Sequence, residues 1–199
     1  LPISIDNPIY TRRGSQFTLG LKITPPWSLI NGKDYSKMNT SERYNLIEYH
    51  KWKFSGKVFT PLSRDSKLVL MTRAEFGYLG HYNEYAKSPF ETFFMGGDGM
   101  SSYTSYSTEY VAMRGYPSGS LTPYDAAMGR NMGYLYNKFT MELRYPISLE
   151  QSATIWAHAF IEAGNCFADI KEYNPFKLKR SAGVGVRIFL PMFGLLGID

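Results

Sequence analysis

The sequence predicts an all-β protein, an antiparallel transmembrane β-barrel of the outer-membrane type, of which this chain holds about seven strands. Three observations support this fold class. Apolar and polar residues alternate along many segments, short turns alternate with long polar connections, and tyrosine and glycine are common, at 16 and 18 of 199 residues. Tyrosine and glycine suit strands, turns and membrane-interface girdles better than a helical bundle.

The N-terminal half contains three segments in which residue character alternates with a period of two. These segments are 15–23, 50–62 and 68–78. In the second, Trp52 and Phe54 oppose Lys51 and Lys53. A helix is a poor explanation, because spacings of three and four would mix lysine and glutamate into the apolar stripe. Each segment is therefore predicted to be a strand.

The C-terminal half repeats the pattern after a long gap. The segments are 133–145, 153–164, 182–190 and a last strand that begins near Leu195. In the second of them, Ala159 and Ile161 lie on the apolar face, whereas Phe160 and Glu162 lie on the polar face.

The predicted connections differ in length. Residues 61–65 and 146–150 are interpreted as short turns, whereas 25–47, 80–132 and 165–179 are long, polar and rich in glycine and tyrosine. Short turns at one rim and long loops at the other are typical of outer-membrane barrels. An irregular stretch of about 50 residues, such as 80–132, tends to be functional.

Alternation alone does not decide what the apolar face meets. In a soluble β-sandwich it packs a core, and in a membrane barrel it meets lipid while the polar face lines the lumen. The predicted strands are longer than the usual sandwich strand of about 5–6 residues. Aromatic residues also lie near the strand ends, at Trp27, Trp52, Tyr78, Tyr134, Tyr136 and Tyr145. Both features favour the barrel.

Several other classes of protein fit poorly. The net charge of +5 is spread along the chain, which argues against a nucleic-acid partner. Cys166 is the only cysteine, so no intrachain disulfide is expected. The histidines His50, His81 and His158 lack metal-ligand spacing, and 96–99 lacks the ending of a phosphate loop. We therefore expect no catalytic residue, no metal and no cofactor.

The segment 80–132 contains a candidate site. Gly96 and Gly97 allow a positive φ and a tight reversal. Arg114, Gly115 and Tyr116 are predicted to form a turn tip from which the arginine projects. Taken alone, these residues are also compatible with an ordinary exposed turn.

Glu162 gives that arginine a potential partner. An acid on the polar face of a barrel needs a counter-charge, because burying a lone charge is costly. The planar guanidinium of Arg114 can bind a carboxylate at two points. The alternative is that Glu162 pairs with Lys138 or Arg144 on the neighbouring strand.

These residues together resemble the BamA-type outer-membrane assembly factors. Residues 93–97 followed by 113–116 are similar to the family's hallmark lumenal loop, and 160–164 are similar to its strand motif of Phe, any residue, acid, any residue, Gly. Residues 179–185 and 191–196 match the strand and turn that follow. The family's acid holds the loop's arginine, so the resemblance implies these roles for Arg114 and Glu162, with Phe160 and Gly164 completing the strand motif.

The chain departs from the family pattern in small ways. Met113, Tyr116 and Glu162 stand where valine, phenylalanine and aspartate are usual. The insert between Gly97 and Arg114 is longer than the resemblance leads us to expect, which leaves the path of the loop open.

The resemblance implies a function in the bacterial outer membrane. It implies an insertase that folds other barrel proteins, with unfolded barrel proteins as clients and with accessory lipoproteins and the lipid bilayer as partners. Residues 1–199 would form the C-terminal half of a barrel of about sixteen strands, without its first half, its closing strand and the periplasmic POTRA domains. The alternatives are a transporter of the same superfamily, which exports one partner protein through the lumen, and a soluble β-sandwich binding module.

Overall fold

The computed structural model describes residues 3–99 and 108–199, and strands dominate it. In chain order the strands are β1 Ile3–Ile5, β2 Gly14–Ile23, β3 His50–Pro61, β4 Val69–Gly80, β5 Phe93–Met95, β6 Glu109–Val111, β7 Tyr124–Asp125, β8 Arg130–Asn131, β9 Leu135–Leu149, β10 Thr154–Phe167, β11 Lys179–Leu190 and β12 Gly194–Ile198. The helices are α1 Trp27–Ile30, α2 Thr40–Arg43 and two 3₁₀ turns, Glu84–Ala86 and Ile170–Glu172. Within the described ranges, no helix is both long enough and apolar enough to cross a membrane.

One large antiparallel sheet organises the chain. Its eight strands lie in the order β1-β2-β3-β4-β9-β10-β11-β12, with each pair of neighbours antiparallel. The seven strands expected from alternation are confirmed. The eighth, β1, was missed because three residues are too few to show a period of two. Among the described residues, β1 and β12 each pair on one side only, so this sheet is not closed.

The two faces of the sheet identify what surrounds it. Large apolar side chains on one face are exposed, and they include Phe17, Leu19, Leu21, Trp52, Phe54, Phe139, Met141, Leu143, Ile161, Val184 and Val186. Charged and polar side chains on the other face are buried, and they include Lys51, Lys138, Glu142, His158 and Glu162. A soluble sandwich would bury the apolar face instead. The sheet is therefore the wall of a transmembrane barrel, with lipid outside and a polar lumen inside.

An apolar cluster lies at the end of the lumen where the connections are short. Tyr10, in the β1–β2 connection, packs edge-on against Trp156 of β10, with 5.8 Å between ring centroids. Val69 and Met71 lie opposite Arg144 and Glu142 on the lumenal face, and they are buried in the same cluster. Because β2 and β10 are separated by three strands in the sheet order, this contact across the lumen shows that the sheet curls.

One predicted turn is wrong. Residues 146–149 continue β9, and the connection to β10 spans only 150–153. Ile155 lies opposite Ser148, whereas Trp156 lies opposite Pro146, so Ile147 is an extra residue that forms a β-bulge. Pro146 has no N–H to donate, and a bulge is one of the few places in a sheet that accept such a residue.

The connections at the opposite end are long. They comprise residues 24–49, 81–134 and 168–178. The longest contains its own small sheets: β5 pairs in parallel with β6, and β7 pairs with β8. Residues 100–107 of this connection, which belong to the predicted loop 80–132, lie outside the described residues.

Candidate functional site

The connection between β4 and β9, residues 81–134, is called the lumenal loop below. It brings its own apolar core against the inner face of the wall. Fully or almost fully buried side chains of the loop pack on buried residues of β4, β9 and β10, and the cluster contains Leu79, Phe93, Met95, Val111, Met113, Met132, Tyr134, Tyr136 and Cys166. Tyr134 and Tyr136, two of the aromatic residues predicted near strand ends, are buried in this cluster.

Two glycines allow the chain to reverse inside the loop. Gly96 and Gly97 have φ values of 131° and 86°, which side chains rarely tolerate. A Cβ on Gly97 would lie 1.9 Å from the hydroxyl oxygen of Tyr110. The Gly97 N–H donates to the carbonyl oxygen of Tyr116 at 2.8 Å, and Gly97 accepts from the Met113 N–H at 2.9 Å. These bonds hold the tip of the loop against its stem.

The tip of the lumenal loop is the turn Arg114-Gly115-Tyr116, with Gly115 at a φ of 81°. The Arg114 side chain donates to Glu162 Oε1 from Nη2 at 2.9 Å and from Nε at 3.2 Å. The Arg114 backbone N–H donates to Glu162 Oε2 at 2.9 Å. Because both carboxylate oxygens are engaged, the contact fixes the turn as well as the side chain.

The tip cluster contains more than this one pair. Arg114 Nη1 lies 3.2 Å from Glu142 Oε2, and the guanidinium stacks 3.6 Å above the centre of the Phe160 ring. Arg144, one of the two alternative partners considered for Glu162, contacts Glu142 instead, at 2.7 Å. Lys138, the other alternative partner, does contact Glu162 at 3.0 Å. Glu162 therefore meets both the loop arginine and the wall lysine.

Gly164 and Tyr116 bring the loop close to the wall. A Cβ on Gly164 would lie 2.7 Å from Met95 Cε and 2.8 Å from the Asn137 carbonyl oxygen, so only glycine leaves room for the loop there. The Tyr116 hydroxyl donates to the carbonyl oxygen of Arg180 at 2.8 Å, on β11. The predicted site residues thus meet at β9, β10 and β11.

A second ion cluster holds the stem of the loop. Lys51 of β3 is only 1% exposed, and its Nζ lies 3.0 Å from Glu91 Oε2 and 2.9 Å from Glu109 Oε2. The same ammonium lies over the Phe93 ring, 4.7 Å from its centre. Lys22 also binds Glu91, and Lys53 also binds Glu109. A single wall lysine therefore joins the two legs of the loop.

The lysines of the stem cluster favour the ionised carboxylates. Burial opposes ionisation of Glu91, but hydrogen bonds from Lys51 and Lys22 outweigh it and lower the pKa of that carboxyl. Burial likewise opposes ionisation of Glu109, and hydrogen bonds from Lys53 and Lys51 lower its pKa. Both acids are therefore charged at neutral pH.

The sequence did not predict the stem cluster or the contact of Arg114 with Glu142. It also did not predict His158 and Asp199, which border the tip cluster. His158 is buried, with Nε2 at 2.8 Å from Asp199 Oδ1 and 3.4 Å from Arg114 Nη1. Alternation placed Lys51 and His158 on the polar face, but a strand pattern does not identify which residues these side chains contact. Across the described ranges, no group of three or more His, Cys, Asp or Glu side chains is arranged to hold a metal ion.

Comparison with known proteins agrees with this architecture. The Omp85 superfamily domain matches residues 4–199. A crystal structure of BamA from Haemophilus ducreyi lacking POTRA domains 1-3 superposes with a TM-score of 0.67 at 19% sequence identity, and the match covers 98% of this chain. The chain spans 36% of that BamA chain, about a third. No curated protein matches the chain.

Proposed function

Because this chain belongs to the Omp85 superfamily, we propose that residues 1–199 form the C-terminal half of an outer-membrane barrel that folds other β-barrel proteins and inserts them into the bacterial outer membrane. In this proposal the lumenal loop stabilises the wall from the inside through its buried core and its ion pairs. The proposal includes no bond-making or bond-breaking step.

The observation that carries the proposal is the occupied lumen. Arg114, at the tip of the loop, is 8% exposed and lies between Glu142 and Glu162 on the wall. A polypeptide that crossed this part of the lumen would have to displace buried ion pairs as well as an apolar core. Breaking one buried pair typically costs about 3–5 kcal/mol. This obstacle favours clients that meet the outer surface of the barrel over cargo that passes through it.

We assign each predicted site residue a role within that proposal. Arg114 and Glu162 pin the loop, and Phe160 supports the guanidinium from below. The remaining residues shape the turns or the close approach of loop and wall, and they are Gly96, Gly97, Gly115, Tyr116 and Gly164.

The proposed partners follow from the same family membership. Unfolded barrel proteins are the clients, accessory assembly lipoproteins are further subunits, and the outer-membrane bilayer surrounds the apolar face. The exposed apolar rows of β2, β3, β9, β10 and β11 support the bilayer as a partner.

Depletion of the full-length protein, followed by quantification of the outer-membrane proteome, tests the function. We expect many unrelated barrel proteins to fall together. Loss of a single secreted protein while the barrels persist would instead identify a dedicated transporter, with the lumenal loop as its plug. Full solubility of the full-length protein without detergent would contradict both barrel functions.

A further inference from the structure

The connection between β10 and β11, residues 168–178, does not rise above the lumen. It folds onto the outer face of the wall, and we call it the apron. Asn137 and Asn165 have the strand parity of the lipid-facing residues Phe139 and Ala163. Asn137 Nδ2 donates to the carbonyl oxygen of Pro175 at 3.3 Å, and Asn165 Nδ2 donates to that of Lys177 at 2.8 Å.

Aromatic contacts place the apron on the same side. Tyr173 packs edge-on against Phe76 of β4 and Phe167 of β10, with ring centroids at 6.1 Å and 5.4 Å. Phe76 pairs with Asn137 across the strands and shares its outward face. The apron therefore begins where the exposed apolar rows of β9 and β10 end.

The outer surface of the apron is both apolar and basic. Phe176 is 86% exposed and is the most exposed aromatic side chain among the described residues. Lys177 and Arg180 are also exposed, and within the described ranges neither forms an ion pair. Arg180 lies opposite Ala163, and Ala163 lies opposite Phe139, so the arginine ends a lipid-facing row. By contrast, Lys87 and Glu84 of the lumenal loop neutralise Asp169 and Lys171.

We propose that the apron is a lipid-binding surface, in which Phe176 enters the interfacial region of the bilayer while Lys177 and Arg180 bind lipid phosphates. Aromatic rings and cations are the side chains that favour this level of a membrane. The surface is continuous with the apolar face of the wall, which lies in the bilayer. Its cations, Lys177 and Arg180, complement anionic headgroups. This inference concerns the lipid side of the wall and goes beyond the proposed assembly function.

A nitroxide label at position 176 tests the depth. The Phe176→Cys variant of the full-length protein is labelled and reconstituted in phosphatidylcholine vesicles, with and without phosphatidylglycerol. Cys166 is buried and thus protected from the label. Collision rates with oxygen, which partitions into lipid, and with a water-soluble nickel chelate report the depth of the label. A label on the Tyr124→Cys variant is the matched control, because the Tyr124 side chain is 66% exposed in the β7–β8 hairpin.

We expect the label at 176 to favour oxygen and the label at 124 to favour the nickel chelate. Phosphatidylglycerol should move the label at 176 deeper, and this shift should be lost in a Lys177→Gln, Arg180→Gln variant but kept in a Lys33→Gln control. Equal nickel accessibility at both labels in both lipids would overturn the proposal. A deep label that ignores phosphatidylglycerol would overturn the role of the two cations. Client assembly is measured separately, so either failure is distinguishable from failure of the proposed function.

Discussion

The two ion clusters of the lumenal loop have opposite polarity. At the tip, the loop supplies the cation Arg114 and the wall supplies Glu142 and Glu162. At the stem, the wall supplies Lys51 and the loop supplies Glu91 and Glu109. A loop seated the wrong way round would place like charges together, which costs free energy. The inverted arrangement therefore selects one orientation of the loop, and it does so at strands on both sides of β4.

The clusters also differ in how many partners remain after one is lost. Without Arg114, Glu142 keeps Arg144 and Glu162 keeps Lys138, but both acids lie deep in the wall. Without Lys51, the stem acids keep Lys22 and Lys53 and are partly exposed, at 25% and 28%. We therefore expect the tip to be the more sensitive cluster.

The largest effect is expected at the tip. Arg114→Glu should destabilise the folded barrel by about 3–5 kcal/mol, since it leaves buried carboxylates facing a third one. Glu162→Arg should be comparably harmful, and the double swap should regain part of the loss. Thermal unfolding of the full-length protein, with protease cleavage of the loop as a second readout, measures this. A double swap no better than either single variant would remove the support for direct pairing.

A smaller effect is expected at the stem. Lys51→Met removes three hydrogen bonds of the ammonium group, to Glu91 Oε2, to the Glu91 carbonyl oxygen and to Glu109 Oε2. The two acids keep Lys22 and Lys53, so we expect a loss of only about 1.5–3 kcal/mol in stability. Hydrogen exchange should rise in residues 88–99 and 108–113 while the wall strands stay protected. Lys57→Met is the matched control, because Lys57 lies on the same face of β3 and contacts neither acid. Equal exchange in the two variants would mean that Lys51 does not hold the stem.

The difference between tip and stem also marks what the sequence can predict. The tip was anticipated because Arg114 and Glu162 each belong to a recognisable motif. The stem was not, because Lys51, Glu91 and Glu109 lie in ordinary local sequence and meet only through contacts 40 or more residues apart. The strand faces were predictable for a simpler reason. Lipid and lumen differ in polarity, so successive residues of a strand alternate between apolar and polar side chains.

The remaining surprises are tertiary in origin. Ile147 became a bulge because the register with β10 required one extra residue, and alternation cannot reveal a shift on one side of a pair. The apron was predicted only as a polar loop, and its place outside the wall follows from amide side chains whose acceptors lie in distant residues.

A third prediction asks whether the tip depends on close packing as well as charge. Gly164→Ala would place a Cβ within 2.8 Å of a backbone oxygen of β9, which cannot yield as a side chain can. We expect a loss of about 1–3 kcal/mol in the stability of the barrel. Gly20→Ala is the control, since its Cβ would lie 3.7 Å from Lys53 Cβ, an ordinary contact. Equal melting temperatures would show that the close contacts of Gly164 with Met95 and with the β9 backbone do not limit the stability of the barrel.

The smallest effect is expected at low pH, where protonation of Glu91 and Glu109 should loosen the stem of the lumenal loop from the wall. Hydrogen bonds from the lysines overcome burial and hold the pKa values of Glu91 and Glu109 below their ordinary value of 4.5. A lowered folded pKa contributes stability that is present above the unfolded value and is lost as pH falls through the folded value. Hydrogen exchange of residues 88–99, corrected for intrinsic rates, should therefore rise below about pH 4.5. In a Glu91→Gln, Glu109→Gln variant it should be high at neutral pH and flat on acidification. A wild-type profile as flat as that of the variant would show that the stem acids do not hold the loop, and the orientation of the loop would then rest on the tip alone.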